Sequence, residues 1–273
     1  MAARVKLAAN LSFLFQDRQF LDRFDAAAAC GFTAVEFGPY VIAEWSREEL
    51  VAAAERAGVE VVSICTPVSC ASDRGVAAIP GKEADFEALL AKTIDYALAL
   101  KCSRIHPLAG ILPEAKEKNE LLWSHARTTY VANLRRAAEE CSKHSLTVLI
   151  EPISTIPNYF LQHQKEAVDI IRDAGQQNIK IEFDVFHAQT LDGNLSVFLR
   201  DNISLVGHVQ IAQLPGRDEP DDNGEVNFPF LFKLLNKLGY DGWVACEYVP
   251  RGRTEDGLGW ATPYLKCTSS ASV

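Results

Sequence analysis

Eight short β-branched runs, separated by longer amphipathic stretches, account for nearly the whole chain. The runs fall at 5–12, 34–38, 60–65, 104–108, 147–152, 179–184, 206–212 and 243–248. Helical apolar spacing marks 19–30, 47–57, 85–100, 124–144, 165–174, 195–202 and 230–238. Neighbouring parallel strands need a crossover, usually a helix, so this alternation predicts an α/β protein with a parallel sheet covered by helices. Eight strands in 273 residues predict one closed (β/α)8 TIM barrel spanning 1–273, a fold of typically about 250 residues. An open doubly wound sheet would be marked by a glycine-rich phosphate turn after its first strand. Here that strand leads into Asn10-Leu11-Ser12-Phe13-Leu14-Phe15, and no GxxxxGK[ST] motif occurs in the chain.

Local signals agree with these boundaries. Gly31, Gly58, Gly175 and Gly239 each stand just past a helical pattern, where the backbone turns left-handed. Ser46 and Glu49 form a capping box ahead of the 47–57 helix. No charge block, low-complexity linker or internal repeat marks a second domain. Three long polar connections, 66–84, 109–123 and 213–227, follow strands three, four and seven, at the mouth of such a barrel. The 66–84 loop, with Gly75 and Gly81 as hinges, is expected to close over bound substrate.

The net charge of −9 argues against a nucleic-acid surface. The seven cysteines lack framework spacing, and although Cys65 and Cys70 could pair, the pattern reads as reduced thiols in an intracellular, cytoplasmic protein. No segment approaches the roughly 20 apolar residues of a membrane span, and no signal region opens the chain.

Four of the last strands end on side chains able to bind a metal or transfer a proton: Glu151, Asp184, Gln210 and Glu247, at intervals of 33, 26 and 37 residues. The carboxyl ends of parallel barrel strands meet at one face, where active sites form. Three carboxylates and an amide oxygen make a hard oxygen set suited to Mg²⁺ or Mn²⁺. Any one of these acids alone reads as a solvated strand end; four at matching positions read as a site. A cation-held 2-hydroxy ketone has an acidified C–H, and Glu151 and Glu247 are placed to move that proton between adjacent carbons. The pattern therefore fits isomerases and epimerases of small hydroxy-carbonyl compounds.

His187 could hydrogen-bond a substrate hydroxyl, orient a ligand, or simply cap the next turn. His106 ends strand four, suited either to an anionic or hydroxyl group of the substrate or to a structural role. His208 lies deeper on the same face as Gln210 and reads as a core hydrogen bond, while His125, His144 and His163 read as surface residues. Arg217, in a loop with Asp218, Glu219, Asp221 and Asp222, is expected to turn inward and grip a substrate carboxylate, the acidic neighbours being mostly solvated.

Several stretches together resemble the hydroxypyruvate isomerase family of xylose isomerase-like barrels. They are Ile79-Pro80-Gly81-Lys82-Glu83, Phe183-Asp184-Val185-Phe186-His187-Ala188-Gln189, Asp192-Gly193-Asn194-Leu195 and His208-Val209-Gln210-Ile211-Ala212, followed by Glu219-Pro220-Asp221-Asp222, Gly224-Glu225-Val226-Asn227 and Gly242-Trp243-Val244-Ala245-Cys246-Glu247-Tyr248. Asn223 is inserted within the acidic loop motif. The resemblance implies interconversion of hydroxypyruvate and tartronate semialdehyde, with Glu151 and Glu247 as the acid–base pair. It implies a metal shell of Glu151, Asp184, Gln210 and Glu247. A ketose 3-epimerase and a non-catalytic barrel that binds a small acid stay open as alternatives; epimerases of the superfamily usually have histidine where this chain has Gln210. The expected partner is a small hydroxy-carbonyl acid, with no nucleic acid and no membrane, and a homo-oligomer is compatible with the reading.

Overall fold

In the computed structural model, which describes residues 5–68 and 74–265, the eight strands close into a parallel barrel in sequence order. The first half runs β1 (Lys6–Asn10), α1 (Asp22–Ala29), β2 (Ala34–Phe37), α2 (Val41–Glu44), α3 (Arg47–Ala57), β3 (Glu60–Cys65), α4 (Glu83–Ala99), β4 (Arg104–His106) and α5 (Glu120–Ser142). The second runs β5 (Thr147–Ile150), α6 (Gln164–Ala174), β6 (Ile179–Asp184), α7 (Val185–Leu191), α8 (Leu195–Asn202), β7 (Val206–Ile211), α9 (Phe228–Lys237) and β8 (Trp243–Cys246). β1 pairs with β8 in register Leu7 to Val244, which closes the ring.

Each expected strand and helix is present, and most differences lie at helix starts. Side chains decide these starts more than apolar periodicity does. The Asn119 side chain accepts from the Leu122 N–H, so α5 begins at Glu120 and not at 124. Asn227 does the same for the Phe230 N–H, and Pro229 fits in the first turn of α9. The Ser46–Glu49 capping box forms, and α3 ends on Gly58 at φ 67°. Two short helices lay below the reach of periodicity, α2 and α7.

The barrel wall separates two packed regions. Outside it, helices cover the larger core. Inside, Ala8, Ala34, Val62 and Ala245 form a small apolar layer. Side chains alternate across a strand, so two residues further along β1 and β2, and just past the end of β8, the same inner side carries Asn10, Glu36 and Glu247. A polar layer thus stands directly on an apolar one.

The 66–84 loop corrects one expectation. Gly75 is an anchor and not a hinge: it bridges Ala109, and a Cβ there would lie 2.2 Å from the Leu108 carbonyl oxygen. Its φ of 89° and that close approach both require glycine. Residues 69–73, including Cys70 of the suggested cysteine pair, lie outside the described residues; Cys65 is a free thiol. No described helix is long and apolar enough to cross a membrane.

Candidate active site

The residues singled out in the sequence meet at the carboxyl end of the barrel. A cavity of about 400 Å³ opens there, lined by Glu151, Gln210, Glu247, His106, His187 and Arg217 among others. Asp184 is the last residue of β6 and also the N-cap of α7: its Oδ1 accepts from the Phe186 N–H at 2.7 Å. Its Oδ2 is left for the site, 3.2 Å from an Arg217 Nη2. The same nitrogen donates to Glu247 Oε1 at 2.6 Å. Gln210 Nε2 donates to Glu247 Oε2 at 2.5 Å. Glu151 joins through histidines: His187 Nε2 lies 3.8 Å from its Oε1, and His106 Nδ1 lies 3.6 Å from its Oε2.

Arg217 turns inward, as expected, although two protein carboxylates hold it. Its guanidinium stacks between Phe13 and Phe186, 4.9 and 5.1 Å from their ring centres. The backbone at Arg217 is left-handed, φ 55°, a conformation that costs energy and is kept by its surroundings. Of the four acidic neighbours, Asp222 is exposed as expected, while Glu219 and Asp221 depart from the solvated state. Glu219 is buried and accepts from the Arg251 side chain at 2.8 Å, and Asp221 also pairs with Arg251. Asn223 folds back on Asp221, its N–H donating to Oδ1 at 2.9 Å.

His187 lies inside α7 and does not cap a turn. Its Nδ1 accepts from the Ser154 N–H at 3.2 Å, so the neutral ring carries its proton on Nε2, which faces Asp184 Oδ2 at 3.4 Å. Burial pushes its pKa down to about 4, with Arg217 acting in the same direction and Asp184 opposing. His106 is buried, with Nδ1 2.9 Å from Glu182 Oε2 and no partner for Nε2 among the described residues. His208 is fully buried, its Nε2 2.5 Å from Glu36 Oε2, the core hydrogen bond its position implied.

Three buried residues were missed: Asn10, Glu36 and Glu182. A signal existed. An acid flanked by apolar residues within a strand, as in Val35-Glu36-Phe37, is costly unless its partners are also buried. Glu182 precedes Asp184 by two and so shares its face.

Burial lifts the proton affinities of both Glu151 and Glu247 well above the ordinary carboxylate range. Neighbouring carboxylates add to this and Arg217 opposes it. The donor set fits a divalent cation. Carboxylate oxygens of Glu151 and Asp184 lie within 4.8 Å of each other, and the buried Gln210 Oε1 has no hydrogen-bond partner among the described residues. A consequence can be measured. Each raised carboxylate binds its proton more tightly in the folded than in the unfolded state. Its contribution is therefore full below the unfolded value near 4.5 and is lost as pH rises through the raised folded value. His187 acts in the opposite sense only up to its ordinary value near 6.5, so as pH rises beyond that through the raised carboxyl values the Tm of chelator-treated protein is expected to fall, and Mn²⁺ to raise Tm more at higher pH. A Tm independent of both pH and Mn²⁺ would contradict this.

A model of the xylose isomerase-like TIM barrel family matches residues 24–264, and the chain belongs to that family. Within it the chain is similar to proteins with isomerase names. A 2-oxo-tetronate isomerase of Cupriavidus necator is 43% identical, covering 95% of this chain and 98% of its own. A putative hydroxypyruvate isomerase of Homo sapiens is 42% identical, covering 96% of each. A solved structure described as an AP endonuclease, family 2, from Brucella melitensis superposes with a TM-score of 0.91 at 38% identity, covering 96% of this chain and all of the other. D-psicose 3-epimerase from Clostridium cellulolyticum, at 19% identity and TM-score 0.73 over 93% of this chain and 89% of its own, shares the fold.

Proposed function

We propose that this chain is an isomerase of small 2-oxo acids that carry a hydroxyl on carbon three, interconverting hydroxypyruvate and tartronate semialdehyde or a close homologue. One observation carries the reading: the buried Glu151 and the partly buried Glu247 share a small cavity with an arginine held at its wall. The names of the relatives point the same way.

The reaction is an internal redox exchange. A proton leaves carbon three and a proton returns to carbon two, while the hydroxyl proton moves between the two oxygens, so no outside oxidant is needed. Glu151 and Glu247 stand three strands apart on the ring, which puts a base and an acid on different sides of a bound substrate. Their raised proton affinities suit both roles, because a carboxyl that binds its proton more tightly than usual can both take one up and give it back. Glu151, Asp184, Gln210 and Glu247 would hold a divalent cation, Mg²⁺ or Mn²⁺, and when bound it would stabilise negative charge on adjacent substrate oxygens. Arg217 offers its remaining N–H groups to the substrate carboxylate, its Nε having no partner among the described residues. His106 Nε2 and the His187 ring are in reach of substrate hydroxyls on the same wall.

The test is direct. Purified protein with Mg²⁺ and hydroxypyruvate is followed by proton NMR, and tartronate semialdehyde is the expected product. Turnover of a ketohexose in place of the acids would favour the epimerase alternative, and binding without turnover the non-catalytic one. Arg217→Ala is expected to lower kcat/KM for the acid about ten- to hundredfold, the range for a lost charge-assisted hydrogen bond. The loss should be smaller for dihydroxyacetone, which lacks the carboxylate. Equal losses on both would make Arg217 only an anchor for Asp184 and Glu247.

A further inference from the structure

Two amide groups and two carboxylates form a closed ring at the edge of the site. Asn10 Nδ2 donates to Glu36 Oε1 and to Glu247 Oε2, both at 2.8 Å. Gln210 Nε2 donates to the same two oxygens, at 2.8 and 2.5 Å. All four N–H bonds of the two amides are thus spent on one pair of oxygens. Asn10 Oδ1 faces the other way and accepts from the Ser12 N–H at 2.9 Å. Gln210 Oε1 is buried without a partner among the described residues. Glu36 is itself pinned from behind, with Oε2 2.5 Å from His208 Nε2.

We infer that Glu36 is a positioning residue, which holds the Gln210 amide with its oxygen turned to the reaction cavity and fixes Glu247 through the shared ring. This rests on the isomerase reading above and adds to it a residue that touches neither substrate nor cation. The orientation of a glutamine amide follows from its hydrogen bonds. Flipping Gln210 would place its oxygen against two carboxylate oxygens and leave each with only the Asn10 donor of the ring, a repulsion added to two lost hydrogen bonds. A single carboxylate at Glu247 would not decide the matter, because a cation or Arg217 can also satisfy it. Glu36 borders the cavity, but its oxygens are already engaged, Oε1 by the two amides and Oε2 by His208. The task needs both of its oxygens, one for His208 and one for the two amides, and the reach of a glutamate. The ring also takes Glu247 Oε2 out of play, so Oε1, the oxygen facing Arg217, is the one left for proton transfer.

The test separates orientation from charge. Glu36→Ala is expected to lower kcat about ten- to hundredfold, as is usual for groups that orient a ligand from behind. Glu36→Gln keeps an amide oxygen where Oε1 stood, so it should recover most of that loss. In a double-mutant cycle, Glu36→Ala combined with Gln210→Ala should lose far less than the product of the two single losses, the remainder coming through Asn10 and Glu247. The inference is overturned if Glu36→Gln is as slow as Glu36→Ala, or if the two losses multiply. Neutron diffraction of deuterated wild-type protein gives a second answer that needs no variant to fold. Both Gln210 amide deuterons should face Glu36 and Glu247, and an amide oxygen on that side overturns the idea. Should the wild type turn over no hydroxy-carbonyl acid, the isomerase reading falls, and the deuteron positions alone decide whether Glu36 orients Gln210.

Discussion

Glu247→Gln and Glu151→Gln will each give a folded protein that turns over at least about a hundredfold more slowly, equivalent to about 2.7 kcal/mol of lost transition-state stabilisation. Glutamine keeps the shape and one oxygen of each side chain and removes the group that accepts and returns a proton. The two sites are not equivalent. Glu247 is held at both oxygens, by Arg217 on one side and by Asn10 and Gln210 on the other. Glu151 faces His106 and His187 at 3.6 and 3.8 Å, with carboxylate oxygens of Asp184 and Glu182 within 4.8 Å. If one glutamate performs both transfers, solvent deuterium exchange at the substrate carbon will vanish in that variant and persist in the other. Near-wild-type kcat in both variants would remove the mechanism while leaving the fold untouched.

Phe183→Ala is the second large effect, and it acts on stability. Phe183 lies between Glu182 and Asp184 on β6 and points to the outer side of the wall, where it is fully buried and stacks on Phe198 at 5.4 Å between ring centres. Truncating a buried phenylalanine costs about 3–5 kcal/mol, through lost transfer energy and the cavity left behind. For a domain of this size that corresponds to a fall of roughly 10 °C in Tm. Calorimetry checks the figure, and a shift under about 3 °C would mean that the strand is held mainly by its ladder. The result bears on the site because Asp184 and Glu182 keep their aim only while this strand is fixed.

What could be read from the residues alone follows from the two structural periods. Alternating β-branched runs and amphipathic stretches forced a parallel sheet, and eight of them closed it. Glu151, Asp184, Gln210 and Glu247 stood out because strand ends in a parallel barrel share one face, which makes sequence position a proxy for place. Helix starts were less legible at Asn119 and Asn227, where a single side-chain hydrogen bond outweighs hydrophobic spacing. Helix α7 was hidden because its N-cap is Asp184, a residue already assigned to the site.

The rest depended on contacts between residues far apart in the chain. The apolar flanks of Glu36 hint that it is buried, but nothing local names its partners, since Asn10, His208 and Gln210 lie 26, 172 and 174 residues away. Arg217 could be expected to turn inward, yet its grip on Asp184 and Glu247 between two aromatic rings is a property of the closed barrel. Gly75 read as a hinge because glycine permits motion, and only the packed fold made it an anchor against Leu108. The sequence determined where the strands end and which chemistry stands there, because both follow from short-range periodicity and residue type. The tertiary structure decided which of those groups face one another, and with that which oxygens stay free to react, because hydrogen bonds and buried charges are settled by distances that only the closed barrel sets.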